Sequence, residues 1–557
     1  MNYEGLHWID TTIVIASVLL AIGVGIYFAK RQNSTEAYFA ASGNIPAWAV
    51  GMSMFATIIS SVTFLAYPGS AYSGNWILLV QGLMVPLVLL GVIGFIVPLY
   101  RRVIKLSTYE YFERRFGAFA RFYSSIAFVL EHFSKMGTIL YLLAMAMVAF
   151  SGGINITWFI ISIGIAVIIL TYFGGMEAII WMDVIQGFLL IIGGIMAIAM
   201  LFHLTEGGAS AILNIAAEHN KIDFGPYAWD FTQLTFIVMV FNGIFYAIQK
   251  YGTDQSIVQR YLTARTDKSA KKASYLGIML SVPTWALFMF VGTCLFAYYQ
   301  INAGDLPSGI KSDEIFPYFI ATEMPIGITG LIISALIAGA ISSLDADVNC
   351  ISAVVVEDYY TRFRPKATDK QKLLVGRISV IAIGIGAILI ALLYVAWGGE
   401  GVLGTLFGLY AILSAGIVGI FLLGLFSRRA NWQGLYIGIA AAILFTAYAV
   451  LTTTKFGNDP NAGIILDLED WNFRHHTYML GVYSHLIVLV VGYIASLFFK
   501  TPLADKELTI YGYLEEKKNK KITYYKYERN YITSTTKDCV WNKLYRQICE
   551  RLFKTWS

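Results

Sequence analysis

The stretch Phe55-Ala56-Thr57-Ile58-Ile59-Ser60-Ser61-Val62-Thr63 places four hydroxyls within seven residues near the centre of an apolar run, 46–68. The run is long enough to cross the hydrocarbon core of a bilayer, which needs about 20 apolar residues. A single hydroxyl at that depth usually bonds back to its own helix. Four together favour an interrupted helix, because freed backbone groups must face a cavity and not lipid. The run is therefore predicted to be a broken membrane helix.

The composition of the whole chain also indicates a membrane protein. Of its 557 residues 57% are hydrophobic and 13% are charged, and the mean hydropathy is +0.65, whereas a soluble domain is about 25% charged. This composition excludes a soluble enzyme, a disordered chain, a collagen and a disulfide scaffold. The apolar runs lack strand-like alternation, so the predicted fold is an all-α integral membrane protein. Thirteen runs are predicted to span the membrane: 9–29, 46–68, 76–100, 122–150, 154–173, 178–203, 231–258, 273–300, 327–357, 374–397, 402–427, 432–454 and 476–499.

Lysine and arginine are distributed unevenly between the connecting loops. With the N-terminus outside, the cytoplasmic side holds basic clusters within 101–121, 260–272 and 362–377 and a basic tail. The outside loops then carry only four basic residues, Lys221, Lys311, Lys455 and Arg474. By the positive-inside rule, this asymmetry predicts an external N-terminus and a cytoplasmic C-terminus.

The sequence contains no catalytic or nucleotide-binding motif. The seven histidines are scattered and do not form HExxH, and no Walker sequence is present. We therefore expect no enzymatic activity, no ATP-driven pumping, no cofactor and no nucleic-acid partner. The expected partners are the lipid bilayer, ions and small solutes.

Polar residues inside the apolar runs are the informative ones, because each is costly at membrane depth. The ninth run reads Gly339-Ala340-Ile341-Ser342-Ser343-Leu344-Asp345-Ala346-Asp347-Val348-Asn349, with Ser342 and Asp345 on one helical face. Asp183 is a further carboxylate inside a run. Carboxylates and hydroxyls without His or Cys suit an alkali or alkaline-earth cation. Lys135, inside the fourth run, could neutralise a carboxylate or meet an anionic solute.

Several other motifs accompany these clusters. They are Ala37-Tyr38-Phe39 with Pro46 and Trp48, Gly174-Gly175-Met176-Glu177-Ala178, Trp181-Met182-Asp183-Val184-Ile185-Gln186, Tyr251-Gly252-Thr253-Asp254-Gln255 with Val258-Gln259-Arg260, and Arg428-Arg429-Ala430-Asn431-Trp432-Gln433-Gly434. Together with Ile341-Ser342-Ser343-Leu344-Asp345, they resemble the sodium:solute symporters over roughly residues 8–500. The second run, from Ala56-Thr57 to Tyr72, is most similar to the sodium/sialic acid branch of that family.

The resemblance implies the leucine-transporter fold, with ten core helices in two inverted five-helix repeats, about 46–203 and 231–427. Spans two and seven would be the two broken helices. The chain would then consist of a first helix and loop (1–45), the transporter core (46–430), two peripheral spans (431–500) and a basic cytoplasmic tail (501–557). Within the tail, 540–552 has the pattern of an amphipathic helix at the membrane surface. A monomer in the plasma membrane, the inner membrane of a bacterium, is expected.

The resemblance also implies where ions and solute bind. In similar proteins sodium is held by backbone carbonyls of the broken helix and the ninth span, together with two hydroxyls. The corresponding residues are Ala56, Ile59, Gly339, Ser342 and Ser343. A second cation site maps to Asp183, Ser342, Asp345 and Ala346, where the family has hydroxyls at the last two positions. The added carboxylate of Asp345 could strengthen this site or convert it to a proton site. The expected solute site consists of Ser60, Ser61, Thr63, Gln81, Lys135, Asn242 and Tyr246.

The implied activity is sodium-coupled import of a small polar solute, with sodium as the coupling ion. Lys135 stands where the sialic acid branch has an arginine that holds the solute carboxylate, so it keeps the charge and loses the bidentate geometry. A sugar acid similar to sialic acid is the preferred solute. A neutral monosaccharide (glucose, galactose or inositol) remains an alternative, in which Lys135 would pair with a carboxylate such as Glu131. A monocarboxylate symporter and a transporter-like sensor are further alternatives.

Overall fold

The computed structural model describes residues 5–396, 416–454, 463–515 and 517–518. Within these ranges the chain is helix and loop, apart from one isolated bridge between Ile45 and Ala264. The predicted amphipathic helix at 540–552 lies outside the described residues, as does the first part of the eleventh run, 402–415.

Nineteen helices precede the tail in the described ranges. Those in the first part of the chain are α1 (Trp8–Phe28), α2 (Thr35–Ala40), α3 (Ala47–Ile58), α4 (Ser61–Ser73), α5 (Leu79–Val103), α6 (Tyr109–Phe116), α7 (Ala118–Phe150), α8 (Ile156–Leu204) and α9 (Gly208–Glu218). Those in the second part are α10 (Phe236–Gly252), α11 (Gln255–Thr263), α12 (Asp267–Ile301), α13 (Ser312–Glu323), α14 (Ile328–Val354), α15 (Thr361–Phe363), α16 (Asp369–Ala396), α17 (Ile417–Phe426), α18 (Trp432–Leu451) and α19 (Thr477–Ser496). A π-helical segment, Val355–Tyr360, joins α14 to α15. Short 3₁₀ turns occur at Ala29–Arg31, Ala41–Gly43, Ala303–Asp305, Glu469–Trp471 and Lys506–Leu508.

Nine helices of the described part are long and apolar enough to cross a membrane, namely α1, α5, α7, α8, α12, α14, α16, α18 and α19. α3 and α4 together supply a tenth span, bent by 55° where they meet. α10 has 17 residues and α17 has 10 described residues, so neither reaches the same length. The prediction of a multi-pass all-α membrane protein is confirmed, and the count of thirteen spans stays a prediction.

α8 contains a sharp turn between two helical segments. Its 49 residues would extend about 74 Å as one straight helix, which is more than twice the thickness of a hydrocarbon core. Gly175 interrupts it with φ +55° and ψ −164°. A Cβ at this position would lie 2.9 Å from both the Tyr38 carbonyl oxygen and Gln32 Oε1, so only glycine fits the turn. The interruption separates the two predicted runs 154–173 and 178–203.

α14 lies at the centre of the molecule. Every residue from Ile332 to Val354 is buried, and the helix packs against α1, α3, α7, α8 and α16. Small side chains at its middle allow this close packing on all sides. Because α14 is enclosed by other helices, its polar residues face protein and not lipid.

Candidate functional site

The broken helix leaves backbone carbonyls without helical partners at mid-membrane. α3 ends at Ile58, and Ile59 and Ser60 adopt extended backbone conformations before α4 begins. The Ser60 hydroxyl accepts a hydrogen bond from the Val62 amide at 3.2 Å and so caps α4. Since the last carbonyls of a helix have no intrahelical donor, the end of α3 presents oxygen atoms to its neighbour. The predicted interruption of the second run is confirmed.

Two serines of α14 face these carbonyls. Ser342 Oγ lies 3.1 Å from the carbonyl oxygens of both Ala56 and Gly339. Ser343 Oγ lies 3.3 Å from the Thr57 oxygen and 3.5 Å from the Ile59 oxygen. The five residues predicted to hold sodium, Ala56, Ile59, Gly339, Ser342 and Ser343, therefore lie together and are all buried. Their neutral oxygens in a dry site suit a small alkali cation.

We name this group of residues the break site. Thr57 contributes a carbonyl that sequence reasoning did not assign, because a backbone oxygen leaves no signal in the residue type. Gly339 fits closely, since a Cβ there would meet the Leu190 side chain at 2.8 Å. Leu190 comes from the second segment of α8, so α8 packs directly against the break site.

Asp183 forms a buried ion pair with Arg260. Arg260 Nη2 donates to Asp183 Oδ2 at 3.0 Å, and both side chains are fully buried. Ser53 of α3 donates its hydroxyl to the same carboxylate and accepts from Arg260 Nε at 2.7 Å. Sequence reasoning counted Arg260 with the basic residues of a cytoplasmic loop, whereas the structure has it in α11, where it is enclosed by protein. The pair joins α8 to α11, and Ser53 joins both of them to α3.

Asp345 has no hydrogen-bond partner for either carboxylate oxygen among the described residues, and it is fully buried. Asp183 Oδ1 is also unpartnered within that part of the chain. The charges of Asp183 and Arg260 both act on Asp345. Ser342, the third residue predicted for the second cation, directs its hydroxyl to the break site instead. Hydrogen bonds do not join Asp183, Ser342 and Asp345 directly.

Lys135 forms an ion pair with Asp347. Its Nζ lies 3.0 Å from Asp347 Oδ2 and 3.1 Å from Oδ1, and Asp347 is fully buried. The partner is therefore Asp347 of α14, and not Glu131 on the same helix. His132 Nε2 lies 3.6 Å from oxygens of both Asp347 and Asp254. The Lys135 side chain keeps 28% of its surface exposed.

Lys250 is a second basic side chain in this arrangement. Lys250 Nζ lies 2.7 Å from Asp254 Oδ2 and 3.9 Å from Glu131 Oε1. Gln249 Nε2 donates to Glu131 Oε2 at 3.2 Å. Sequence reasoning did not assign Glu131, His132, Lys250, Asp254 and Asp347 to a common cluster, since they lie on α7, α10, the α10–α11 junction and α14. We call these five residues and Lys135 the inner polar network.

Besides Lys135 on α7, the residues predicted to bind solute lie at the start of α4, on α5 and on α10. Ser60, Ser61 and Thr63 are buried at the start of α4, and the Ser61 hydroxyl has no partner in the described chain. Gln81 lies on α5, where its backbone packs on Gly243 of α10.

The predicted solute residues of α10 face other helices. Asn242 Nδ2 donates to the Tyr478 carbonyl of α19 at 3.2 Å. Tyr246 is partly buried and, like Tyr67 of α4, packs against the hydrophobic core. Tyr67 follows Thr63 by one helical turn, and sequence reasoning missed it because tyrosine is common at membrane interfaces.

Comparison with known proteins identifies the family. The family description "Sodium:solute symporter family" matches residues 38–441 of this chain. The chain belongs to the sodium:solute symporter family. As a member of this family it is a multi-pass membrane transporter and not an enzyme.

Individual members of the sodium:solute symporter family are similar along most of the chain. The sodium/sialic acid symporter NanT of Aliivibrio fischeri is 32% identical over 500 residues, 89% of this chain and 95% of that protein. The sodium/sialic acid symporter SiaT of Proteus mirabilis is 34% identical over 465 residues, 83% of this chain and 92% of that protein. A solved structure of a Na+-coupled sialic acid symporter, substrate-bound and outward-open, superposes with a TM-score of 0.80 at 32% identity, covering 90% of this chain and all of that one.

Proposed function

We propose that the chain is a sodium-coupled secondary active symporter that imports a sugar acid of the sialic acid type. The observation that carries the proposal is the break site, where the Ser342 and Ser343 hydroxyls face the free carbonyls of Ala56 and Ile59. The identities of 32% and 34% to two sodium/sialic acid symporters support both the ion and the class of solute.

Sodium at the break site would connect the broken helix to α14. The Ser342 and Ser343 hydroxyls bond to carbonyls that sodium would also use. A bound ion would replace these hydrogen bonds with shorter ion–oxygen contacts and fix the angle between α3 and α4. Because Ser60, Ser61 and Thr63 lie directly after the break, the same event would position the hydroxyls proposed to bind solute. Coupling of ion and solute follows from this shared segment.

For the architecture we propose two inverted repeats, about 46–203 and 231–427, between a first segment (1–45) and two peripheral spans (431–500) followed by the tail (501–557). α3 with α4 would be one broken helix and α10 with α11 the other. In support, α10 and α11 are separated by only Thr253 and Asp254. The proposed protein is a monomer of the bacterial inner membrane with an external N-terminus and a cytoplasmic C-terminus.

A second cation is proposed beside Asp183 and Asp345. Arg260 neutralises one of the two buried carboxylates, and the other, Asp345, has no partner in the described residues. An isolated carboxylate in a low-dielectric site is strongly unfavourable. Asp345 therefore needs one neutralising positive charge, which a proton or a bound monovalent cation can supply, and the cation is the one proposed here.

The solute assignment depends on Lys135. A sugar acid would place its carboxylate on the Lys135 ammonium, with the hydroxyls of Ser60, Ser61 and Thr63 as further hydrogen-bond partners. Asp347 holds the same ammonium, which favours the second candidate, a neutral monosaccharide that needs no positive charge. We retain the sugar acid as the first candidate because the relatives named above carry sialic acid.

Uptake into proteoliposomes tests the proposed function. Vesicles with an inward sodium gradient should accumulate labelled sialic acid, and an equal potassium gradient should not drive accumulation. Glucose and galactose in excess should compete weakly. If a sodium gradient drives accumulation of a hexose but not of sialic acid, the solute is a neutral sugar. If accumulation does not depend on the sodium gradient, the chain is not a sodium symporter.

Two variants of Lys135 distinguish a sugar acid from a neutral monosaccharide as the solute. Lys135→Met removes the cation and also leaves Asp347 unpaired, so its effect alone is ambiguous. The double variant Lys135→Met/Asp347→Asn is charge-balanced. A sugar-acid carrier should lose uptake in both variants, whereas a hexose carrier should recover uptake in the double variant. Lys135→Arg should strengthen binding of a sugar acid, because guanidinium contacts a carboxylate in a bidentate manner.

A further inference from the structure

A basic groove lies at one end of the helix bundle, away from the break site and the inner polar network. Its volume is about 570 Å³, and it is formed by the end of α5, the first turns of α12 and the start of the tail. Its basic lining residues are Arg102, Lys268, Lys271, Lys272 and Lys517. The groove lies on the side of the basic loops, which is cytoplasmic in the proposed topology.

The lysines of the groove are not neutralised by the carboxylates described near them. Asp267, the one acidic residue of the lining, is held by Arg101 at 2.7 Å. Glu515 in the neighbouring tail segment pairs with Lys506 at 2.9 Å. Within the described residues, the lysines of the lining form no ion pair. Like charges gathered in one concavity repel one another and raise the local potential, so the groove favours an anion with several acceptor oxygens, such as a phosphate group.

An apolar surface continues from the groove along α12 and α5. Lys268, Lys272, Tyr275 and Met279 follow at i, i+4, i+7 and i+11 and share one face of α12. Met279, at the membrane end of this face, has 66% of its surface exposed. A soluble anion would make no use of such a surface, whereas an acyl chain would cover it.

α5 supplies the other wall. Arg102, Pro98, Gly91 and Leu87 fall on one side of this helix. A Cβ atom on Gly91 would have no neighbouring heavy atom within 4 Å, and Leu87 is 65% exposed. The basic groove and the exposed apolar surface that continues from it therefore lie on the same two adjacent helices, α5 and α12.

We propose that this groove binds an anionic phospholipid, with the headgroup phosphate among the lysines and an acyl chain along the exposed faces of α5 and α12. Tyr513 also lines the groove, and its ring packs edge-on against Phe95 of α5 with the ring centroids 5.2 Å apart. Each lysine side chain near a membrane surface attracts anionic lipid, and here three lysines lie in one five-residue stretch of α12, 268–272. The site acts independently of the solute that the protein carries.

Lipid binding can be measured on the purified full-length chain by native mass spectrometry, with phosphatidylglycerol and phosphatidylcholine added in turn. The wild-type chain should retain phosphatidylglycerol in preference to phosphatidylcholine. Lys268→Gln/Lys271→Gln/Lys272→Gln should weaken phosphatidylglycerol binding about tenfold or more. The matched control, Lys366→Gln/Lys370→Gln/Lys372→Gln, removes the same charge from another basic loop on that side and should bind as the wild type does.

Two further measurements distinguish a bound lipid from a soluble anion and from unspecific surface charge. Gly91→Trp leaves the charge unchanged and fills the open wall, so it should weaken lipid binding if an acyl chain lies there. Equal losses in the two lysine variants, or equal retention of both lipids, would show unspecific surface charge and overturn the proposal. Binding of glycerophosphoglycerol or pyrophosphate as tight as that of the lipid would assign the groove to a soluble anion and also overturn it.

Discussion

At the level of single residues, the two α14 serines carry the proposed coupling to sodium. Each hydroxyl is one of about five oxygens at the break site. Ser342→Ala and Ser343→Ala should each reduce sodium affinity, because losing one ligand in a dry site costs about 1–3 kcal/mol, roughly one to two decades. The measurement is the sodium concentration that half-activates uptake.

Ser334→Ala provides the matched control for these two variants. Ser334 lies on the same helix, is buried, and has no hydrogen-bond partner among the described residues. Its replacement removes a hydroxyl without removing a proposed ligand, so the sodium dependence should stay unchanged. Unchanged half-activation in Ser342→Ala and Ser343→Ala, with normal expression, would place the ion elsewhere.

The unpartnered Asp345 is the residue that tests the second cation. Asp345→Ala should lower the Hill coefficient for sodium towards one, because it removes the uncompensated charge that the cation would neutralise. Asp345→Ser keeps an oxygen ligand and should preserve part of the cooperativity. Asp183→Asn is less informative, since it also breaks the buried pair with Arg260 and so destabilises the protein. A Hill coefficient unaltered by Asp345→Ala would contradict the second site.

Residue types alone could indicate that Lys135 matters and could not identify its partner. A cation inside an apolar run needs a counter-charge or a solute, and both possibilities are visible in the sequence. Asp347 lies 212 positions further along the chain, and only the packing of α7 against α14 brings the two together. The same holds for Arg260. Its sequence neighbours are typical of a loop, so the sequence could not show that its side chain forms a fully buried ion pair.

At the level of helices, the sequence predicts where the second run breaks better than how the fifth and sixth runs connect. Four hydroxyls between Thr57 and Thr63 indicate a polar interruption, and the structure has the break at Ile59 and Ser60. Gly174-Gly175 gives a weaker indication, because glycine pairs also serve close helix packing. Only the three-dimensional structure shows that Gln32 and Tyr38 lie so close to Gly175 that a Cβ would not fit.

The turn inside α8 leads to a prediction about stability. Gly175→Ala should destabilise the folded protein by about 1–3 kcal/mol, because alanine is strained at φ +55° and its Cβ would press on Tyr38. Gly23→Ala in α1, where a Cβ meets nothing within 4 Å, should leave the stability unchanged or raise it slightly. Thermal unfolding in detergent measures both. Equal melting temperatures for the two variants would contradict the proposed role of the turn.

At the level of the whole molecule, polar contacts connect separate helix groups below the break site. Gln249 reaches Glu131, His132 lies between Asp254 and Asp347, and Gln259 donates to Asn349 at 3.0 Å. Arg260 adds its contact with Asp183. These contacts join α10 and α11 to α7, α8 and α14, so opening this half of the molecule requires them to separate. Polar groups that separate here can replace each other with water as hydrogen-bond partner, which lowers the free-energy cost of separating them.

The orientation of the whole chain gives the last prediction. Lys311, before α13, and Lys366, between α15 and α16, are both exposed and lie on opposite sides of the span α14. Lys366 is part of a basic cluster, so the positive-inside rule places it in the cytoplasm and Lys311 outside. In a chain with Cys539 and Cys549 replaced by serine, Lys311→Cys should react with a membrane-impermeant maleimide on intact cells, and Lys366→Cys only after the cells are opened. Cys294 and Cys350 are buried and should remain unlabelled in both. Reaction of Lys366→Cys alone on intact cells would invert the proposed orientation, and reaction of both would mean that α14 does not cross the membrane.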